Sequence, residues 1–383
     1  MNSHIEGSTF PTREQELLLR ASLLQGDPAL QAWRNWKALV NVEQKLDAGS
    51  YRLLPLLYHN LQLLGVDDPL MSKLRGIYRR TWYKNQILFH HMAVVLDRFE
   101  KAGTKTMILK GAALVLLHYK NFGLRPMEDF DVLVPTAQTS EAIHLLMDLN
   151  WNPHLGSELL LRNSFRSTLR SHPFEDGAGR KLDLHWHLLL ESRQEDADDD
   201  FWEGTLPVRL DGVHTKALNP TDQLLHVCVS GASWNRTPPL RWAADAVTIL
   251  GTSGDIDWTR LVAQAGKRHL ILPLGDTLTY LRDALGAPVP GEVLRSLKAL
   301  PISRVDRIAH RAKNCPEDRR GPILNFWRLY ECHLRSVNNP DLRHKFLGFP
   351  KFVQAYYGLV HMWQVPFVVA YRTVRNIRRK WSM

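Results

Sequence analysis

Residues that could bind a metal ion and a phosphate group occur close together between Thr106 and Pro135. Asp129 and Asp131 stand two positions apart at the start of an apolar run, and Lys110-Gly111 follows a shorter apolar run. Because side chains alternate along a strand, carboxylates at positions i and i+2 point to the same face. Two carboxylates on one face, near a glycine turn, predict a site for a divalent metal ion and a phosphate.

A third carboxylate further along the chain could join this site. Asp183 lies in the sequence KLDLHWHL, which reads as an apolar strand. Gly111 lies where the first strand gives way to a helix, and the absence of a Cβ atom lets a phosphate approach the backbone there. Lys110 adds a positive charge. Magnesium suits this set because it is a hard cation that prefers carboxylate and water oxygens.

The order and spacing of these residues resemble a known family. The sequence has Lys110-Gly111-Ala112, then RPMEDFDVLV from residue 125 to 134, then DLHW from residue 183 to 186. These motifs are similar to those of an uncharacterised bacterial nucleotidyltransferase family in the DNA polymerase β nucleotidyltransferase superfamily. Members are often associated with surface-polysaccharide genes. The resemblance covers about 104–265.

The resemblance implies a magnesium- or manganese-dependent transferase. Such an enzyme moves a nucleoside monophosphate from an NTP, for example ATP, to a hydroxyl acceptor and releases pyrophosphate. The catalytic residues and metal ligands implied are Asp129, Asp131 and Asp183. The residues implied to meet the nucleotide phosphates are Lys110, Gly111, Ala112 and Arg125. Three further residues, behind the metal ligands, would be His185, Arg241 and Asp245. Ala112 departs from the usual glycine or serine, which removes a hydroxyl that could bind phosphate.

Structural explanations remain open for several of these side chains. Arg125 could be a surface cation before a turn proline. His185 and His187 alternate with Asp183, so the three could bind zinc or form a polar strand face. Arg241 and Asp245, four residues apart, fit a helical ion pair. His226 fits a core helix histidine with a satisfied hydrogen bond.

The elements that must position these residues form an α+β pattern. We expect a small mixed-sheet, nucleotidyltransferase-like core flanked by an N-terminal helical arm and a C-terminal helical domain. The apolar spacing is helical from about residue 12 to 101 and again after residue 220, with short strands and a hairpin between. The predicted boundaries are 1–102 for the arm, 103–218 for the core, 219–345 for the helical domain and 346–383 for a basic aromatic tail helix.

Composition narrows the classes of partner. The chain has 383 residues and a formal net charge of +10, which favours anionic partners. Its three cysteines lack the spacing of a zinc site and are typical of a reducing compartment. The N-terminal residues do not resemble a secretory signal, and no uncharged apolar run is long enough to span a bilayer. We therefore expect a cytoplasmic protein.

The tail, 346–383, combines aromatic residues with a basic end, RTVRNIRRKW. This pattern predicts either a helix docked on the protein or a peripheral anchor on the inner face of an anionic membrane.

Two functions besides catalysis remain open. A non-catalytic nucleotide-binding or assembly factor would need the tail but not the aspartates. Nucleic-acid binding fits the charge, but the sequence lacks a recognition-helix pattern or a stacked-aromatic motif, so it ranks last.

Overall fold

A mixed sheet flanked by helices from both ends of the chain forms the centre of the protein, and this confirms the predicted α+β class. The computed structural model describes residues 9–42, 46–231, 235, 238–315, 322–337 and 342–371. Within these residues no helix is long and apolar enough to cross a membrane.

The N-terminal region is helical, as predicted. A capping box starts its first helix, because the Thr12 side chain accepts from the Gln15 backbone N–H and the Gln15 side chain accepts from the Thr12 backbone N–H. Its helices are α1 (Arg13–Leu23), α2 (Gly26–Leu39), α3 (Ala48–Leu63) and the long α4 (Met71–Lys101). The last of these was expected over 70–101.

The middle of the chain contains the seven strands found among the described residues. In chain order its elements are β1 (Met107–Ile108), α5 (Lys110–Leu114), a π-helical turn (Val115–Tyr119), β2 (Asp129–Leu133), a 3₁₀ turn (Thr136–Gln138), α6 (Thr139–Asp148), β3 (Trp151–Pro153), α7 (Ser157–Leu161), α8 (Asn163–Arg166), β4 (Ser171–Asp176), β5 (Lys181–His185), α9 (Asp199–Glu203), β6 (Leu206–Leu210) and β7 (Val213–Ala217). The predicted hairpin is confirmed as β6 and β7.

The remaining described elements are helices. They are α10 (Pro220–Gly231), α11 (Arg241–Thr252), α12 (Trp258–Lys267), α13 (Ile271–Leu285), α14 (Gly291–Ala299), α15 (Arg304–Lys313), α16 (Pro322–Leu334) and α17 (Leu342–Tyr356). Residues 364–371 are also helical.

The sheet has the order β3-β4-β5-β2-β1-β7-β6. Strand β2 is parallel to β5 and antiparallel to β1, and β1 is parallel to β7. The pairs β3–β4, β4–β5 and β6–β7 are antiparallel. Strands β2 and β5 are therefore central neighbours, although about fifty residues separate them in the chain.

Each face of the sheet packs against a different set of helices. Ile108, Val132 and Leu184 lie in one buried cluster with Phe99 of α4 and Ile143 of α6. Met107, Leu109 and Leu133 point the opposite way, into a second cluster with Leu57 of α3 and Leu225 of α10. The β2 side chains on the second face, such as Leu133, therefore point towards helices from both the N-terminal and the C-terminal region.

Candidate functional site

The pairing of β2 with β5 brings two of the three predicted carboxylates together. Asp131 lies directly opposite Asp183 in the parallel register, and Leu133 lies opposite His185. Since Leu182 and Leu184 face the cluster that contains Phe99, Asp183 and His185 face the other side, as Asp131 does.

His185 connects the two carboxylates. Its Nε2 atom lies 2.9 Å from Asp131 Oδ1 and 3.0 Å from Asp183 Oδ2. Lys110 approaches from α5, with Nζ 2.6 Å from the same Asp131 Oδ1. The His185 side chain is 0% exposed, and its Nε2 lies within hydrogen-bonding distance of both carboxylates. Its role behind the metal ligands stays a prediction.

The charges around Asp131 keep it ionised. Burial acts to raise its pKa, but the charges and hydrogen bonds of Lys110 and His185 outweigh burial and hold the pKa well below its ordinary value. Asp183 shows the same balance, with burial opposing the effect of His185 and a net lowered pKa. Both carboxylates are therefore anionic near neutral pH.

Asp129 lies at the rim of this group. It points to the same face of β2 as Asp131 and pairs in register with Lys181, but its side chain is exposed. Surrounding protein and the charge of Asp131 together raise its pKa. The ligand atoms of Asp131, Asp183 and His185 lie within 4.8 Å of one another, and Asp129 does not belong to that group.

The group has the features of a metal site. Asp183 Oδ1 is buried without a hydrogen-bond partner, as is His185 Nδ1. A buried carboxylate oxygen without a partner costs free energy, which a bound cation would recover. Two carboxylates and an imidazole are donors that Mg²⁺ or Mn²⁺ accepts, and the imidazole favours Mn²⁺. The residues present therefore fit a divalent ion.

At the turn into α5, Gly111 is needed for a reason other than the approach of a phosphate to its backbone. The left-handed backbone position belongs to Lys110, with φ 41°, a conformation that is strained for a residue with a side chain. Gly111 needs the absence of Cβ for another reason. A Cβ atom there would lie 2.5 Å from Arg125 Nη1 and 3.1 Å from Met127 Cγ. The side chain of Ala112 is buried in the core, so only its backbone could meet a phosphate.

Arg125 lies beneath this turn and is buried. Its Nε and Nη2 each donate to one carboxylate oxygen of Asp245, both at 2.8 Å, and Tyr119 also donates to Asp245. The predicted helical pair of Arg241 with Asp245 is therefore wrong, because Asp245 is taken by Arg125 from the loop before β2. Only Nη1 of Arg125 faces the α5 turn.

Arg241, at the start of α11, lies near the site without a carboxylate partner among the described residues. Its Nη1 donates to the Pro126 carbonyl at 3.1 Å. Burial, and then the charge of Arg125, lower its pKa to about 10. The charge of Arg241 acts on Asp129, so this guanidinium lies near the site and could bind an anion there.

The other two histidines do not join the carboxylates. His187 lies beyond the end of β5 and pairs with Asp198 at 3.1 Å, so it does not share a zinc site with Asp183. His226 is buried as expected, but its Nε2 lacks the hydrogen bond that the sequence reading assumed. Burial and the charge of Lys110 lower its pKa well below the ordinary value, so it is neutral.

Two residues of the site were not identified from the sequence. Ser171 of β4 donates to Asp183 Oδ2 at 3.2 Å, and Tyr119 supports Asp245. The antiparallel pairing of β4 with β5 positions Ser171 opposite His185, and no local sequence signal gives that register.

Comparison with known proteins gives a family match that covers more than half of the chain. A family described as "Uncharacterised nucleotidyltransferase" matches residues 35–286. No curated protein matches the chain. The crystal structure of an antigenic nucleotidyltransferase-like protein from Paracoccidioides brasiliensis is similar over 56% of this chain and 94% of that one, with 12% identity and a TM-score of 0.35. A TM-score in that range does not establish a common fold.

Proposed function

The chain belongs to the family of uncharacterised nucleotidyltransferases, and from this premise we propose that it transfers a nucleoside monophosphate from an NTP to a hydroxyl acceptor. The observation that carries the proposal is the convergence of Asp131, Asp183 and His185, whose ligand atoms lie within 4.8 Å. We further propose that the family belongs to the DNA polymerase β superfamily and is bacterial, on the motif resemblance alone.

A divalent metal ion, Mg²⁺ or Mn²⁺, is proposed to be held by Asp131 and Asp183. His185 would be a third ligand once its Nε2 has lost the proton that it donates to these carboxylates. Asp129 would complete the ligands from the open side of the site. When bound, the ion would supply positive charge that stabilises the phosphoryl oxygens as they gain negative charge. Asp131 and Asp183 lie on the neighbouring strands β2 and β5. The pairing of these strands fixes the spacing of the two carboxylates.

The phosphates are proposed to lie at the start of α5. No side chain caps that helix, so the backbone N–H groups of Gly111 and Ala112 can donate to an anion. Lys110 would exchange Asp131 for a phosphate oxygen, and Arg241 would bind from the other side. Arg125 would act through its position under Gly111, since two of its nitrogens are held by Asp245.

In the proposed reaction the acceptor oxygen attacks the α-phosphorus of the NTP. The bond between the α-phosphorus and the pyrophosphate oxygen breaks at the same time. The hydroxyl proton passes to Asp183 or to water. The cations around the phosphates stabilise the added charge, and most of the rate enhancement comes from this charge stabilisation and from alignment of the reacting atoms.

The proposal is tested by Asp131→Asn and Asp183→Asn, each of which removes one ligand charge with little change of shape. Mn²⁺ binding to the full chain is measured by calorimetry, and ATP binding is then measured with Mn²⁺ present. We expect each variant to bind Mn²⁺ about 10–100-fold more weakly. Glu128→Gln is the matched control, because Glu128 is an exposed carboxylate next to Asp129 that pairs with Arg52. Equal Mn²⁺ binding by all four proteins would contradict the proposed site.

A role in surface-polysaccharide biosynthesis, in the cytoplasm, is proposed from the resemblance, with a peripheral membrane contact through the tail. A non-catalytic assembly factor is the alternative, and the buried cluster of carboxylates does not favour it. Loss of cellular function on truncation of the tail, but not in Asp131→Asn, would support that alternative.

A further inference from the structure

The segment from Val360 to Val369 exposes large apolar side chains that no described element covers. Trp363 is 66% exposed, Phe367 is 68% exposed and Val360 is 67% exposed. Soluble surfaces seldom carry so many large apolar groups in one short stretch, and such a stretch marks a contact surface. We call Val360–Val369 the apolar segment.

Two aromatic residues of the apolar segment stand four positions apart at the start of the final described helix. Trp363 and Phe367 lie with their ring centroids 6.1 Å apart in an edge-to-face arrangement. Residues at i and i+4 share one face of a helix. Their rings therefore form a single exposed aromatic surface.

The charge of the surrounding sequence indicates what this surface contacts. Residues 342–383 contain eight lysines and arginines and no aspartate or glutamate, whereas the whole chain has a formal net charge of +10. This last ninth of the chain thus has a formal net charge of +8, which is most of the total. Five of the eight basic residues follow the apolar segment directly, at 372, 375, 378, 379 and 380.

We infer that the apolar segment and the basic residues after it bind the surface of an anionic phospholipid membrane. Aromatic rings insert at the level of the headgroups, and lysine or arginine side chains are attracted to anionic lipids. The absence of acidic residues removes the repulsion that such lipids would exert. The proposed contact is peripheral, with the aromatic rings at the level of the headgroups.

The positive charge favours a membrane over two other partners for this surface, a second copy of the chain and a nucleic acid. A second copy of this chain would bring a second positive tail to the interface, and the two tails would repel each other. A nucleic acid would satisfy the charge, but it would leave Val360 and Met362 without an apolar partner. A membrane with anionic headgroups and an apolar layer beneath them satisfies both features.

Flotation of the full chain with phospholipid vesicles tests the inference. Vesicles of phosphatidylcholine are compared with vesicles that also contain phosphatidylglycerol. We expect binding only to the second kind, at least tenfold weaker when Trp363 and Phe367 are both changed to alanine. We also expect binding to weaken in high salt and in the variant with Arg378→Glu and Arg379→Glu.

The control is Tyr83→Ala, which removes an aromatic side chain of similar exposure, 62%, from α4. Unchanged vesicle binding by this control supports the inference. Equal binding to both kinds of vesicle, or none, overturns it. So does a dimer in solution that dissociates in the Trp363 and Phe367 variant, or an oligonucleotide that binds the tail more tightly than the anionic vesicles. None of these measurements uses NTP, so their outcome is independent of the proposed transferase activity.

Discussion

Asp131 shows how single residues set the chemistry of the site. Its carboxylate is buried, and one of its oxygens contacts both Lys110 and His185. Such a carboxylate is stabilised only while cations or hydrogen-bond donors surround it. Lys110 therefore compensates the charge of Asp131. In the proposed function it would also contact a phosphate oxygen, when another cation compensates Asp131.

Removal of the Lys110 charge should change the affinities for metal ion and nucleotide in opposite directions. In Lys110→Ala, Mn²⁺ meets no competing ammonium at Asp131, so its binding without nucleotide should tighten severalfold. ATP binding should weaken about 10–150-fold, because a charge-assisted contact of ~1.5–3 kcal/mol is lost. Calorimetry measures both constants. Lys216→Ala, an exposed lysine on β7, should change neither, and weaker Mn²⁺ binding in Lys110→Ala would refute the competition.

At the scale of elements, α5, β2 and α11 are joined by one buried ion pair. Arg125 lies in the loop before β2, reaches under the first turn of α5 and binds Asp245 of α11. Buried pairs of this kind hold elements in register, and the loss of one partner is destabilising because the other charge is left unpaired. The position of the α5 turn beside Asp131 therefore depends on Arg125.

The contact predicts a strong effect of a small change. In Gly111→Ala the new methyl group would lie 2.5 Å from Arg125 Nη1, so the ion pair or the α5 turn must shift. We expect a loss of about 1–3 kcal/mol in the free energy of unfolding, together with weaker ATP binding.

The matched control is Gly251→Ala in α11, where a Cβ atom meets nothing within 4 Å. Because alanine is the better helix former, this change should leave stability equal or raise it by up to about 1 kcal/mol. Urea unfolding measures both variants. Similar effects at the two glycines would show that helix propensity, and not the contact with Arg125, is responsible.

At the scale of the whole molecule, the predicted arm, core and C-terminal helical domain share one apolar cluster. Leu18 and Leu57 of the arm lie in the same cluster as Leu109, Leu225 and Leu281. Arg20 also donates to the carbonyl of Ala284 at 2.9 Å. The boundaries at 102, 218 and 345 stay predictions, and this shared core favours a fold in which those parts unfold together.

The stability of this shared fold should fall in mild acid. Burial lowers the pKa of His172 to about 4, whereas an unfolded histidine has a pKa of about 6.5. Its Nε2 accepts the Leu155 N–H at 3.1 Å, which a proton there would prevent. As the pH falls below about 6.5 the unfolded chain binds a proton first, so stability is complete above that pH and is lost towards pH 4.

Urea unfolding between pH 7 and pH 5 measures this effect. We expect the unmodified protein to lose about 1–2 kcal/mol more than His172→Asn over that interval. Asparagine can accept the same N–H but does not titrate. Parallel pH profiles for the two proteins would contradict the role of His172, whatever their absolute stabilities.

The sequence by itself determined the class of fold and the residue types of the site. Helical periodicity, the turn Asp211-Gly212 and the alternation around Asp131 are local properties, so they are readable without the fold. The family motifs are also local, and the family match confirmed the coarse function.

Only the tertiary structure decided which side chains meet. The register of β2 with β5 joined Asp131 to Asp183 and placed His185 between them, while Asp129 remained at the rim. The partner of Asp245 came from a loop 120 residues away, and it displaced the helical pair that the spacing suggested. Strand register and buried ion pairs depend on contacts between distant parts of the chain, and these follow from packing the whole core and not from any local pattern.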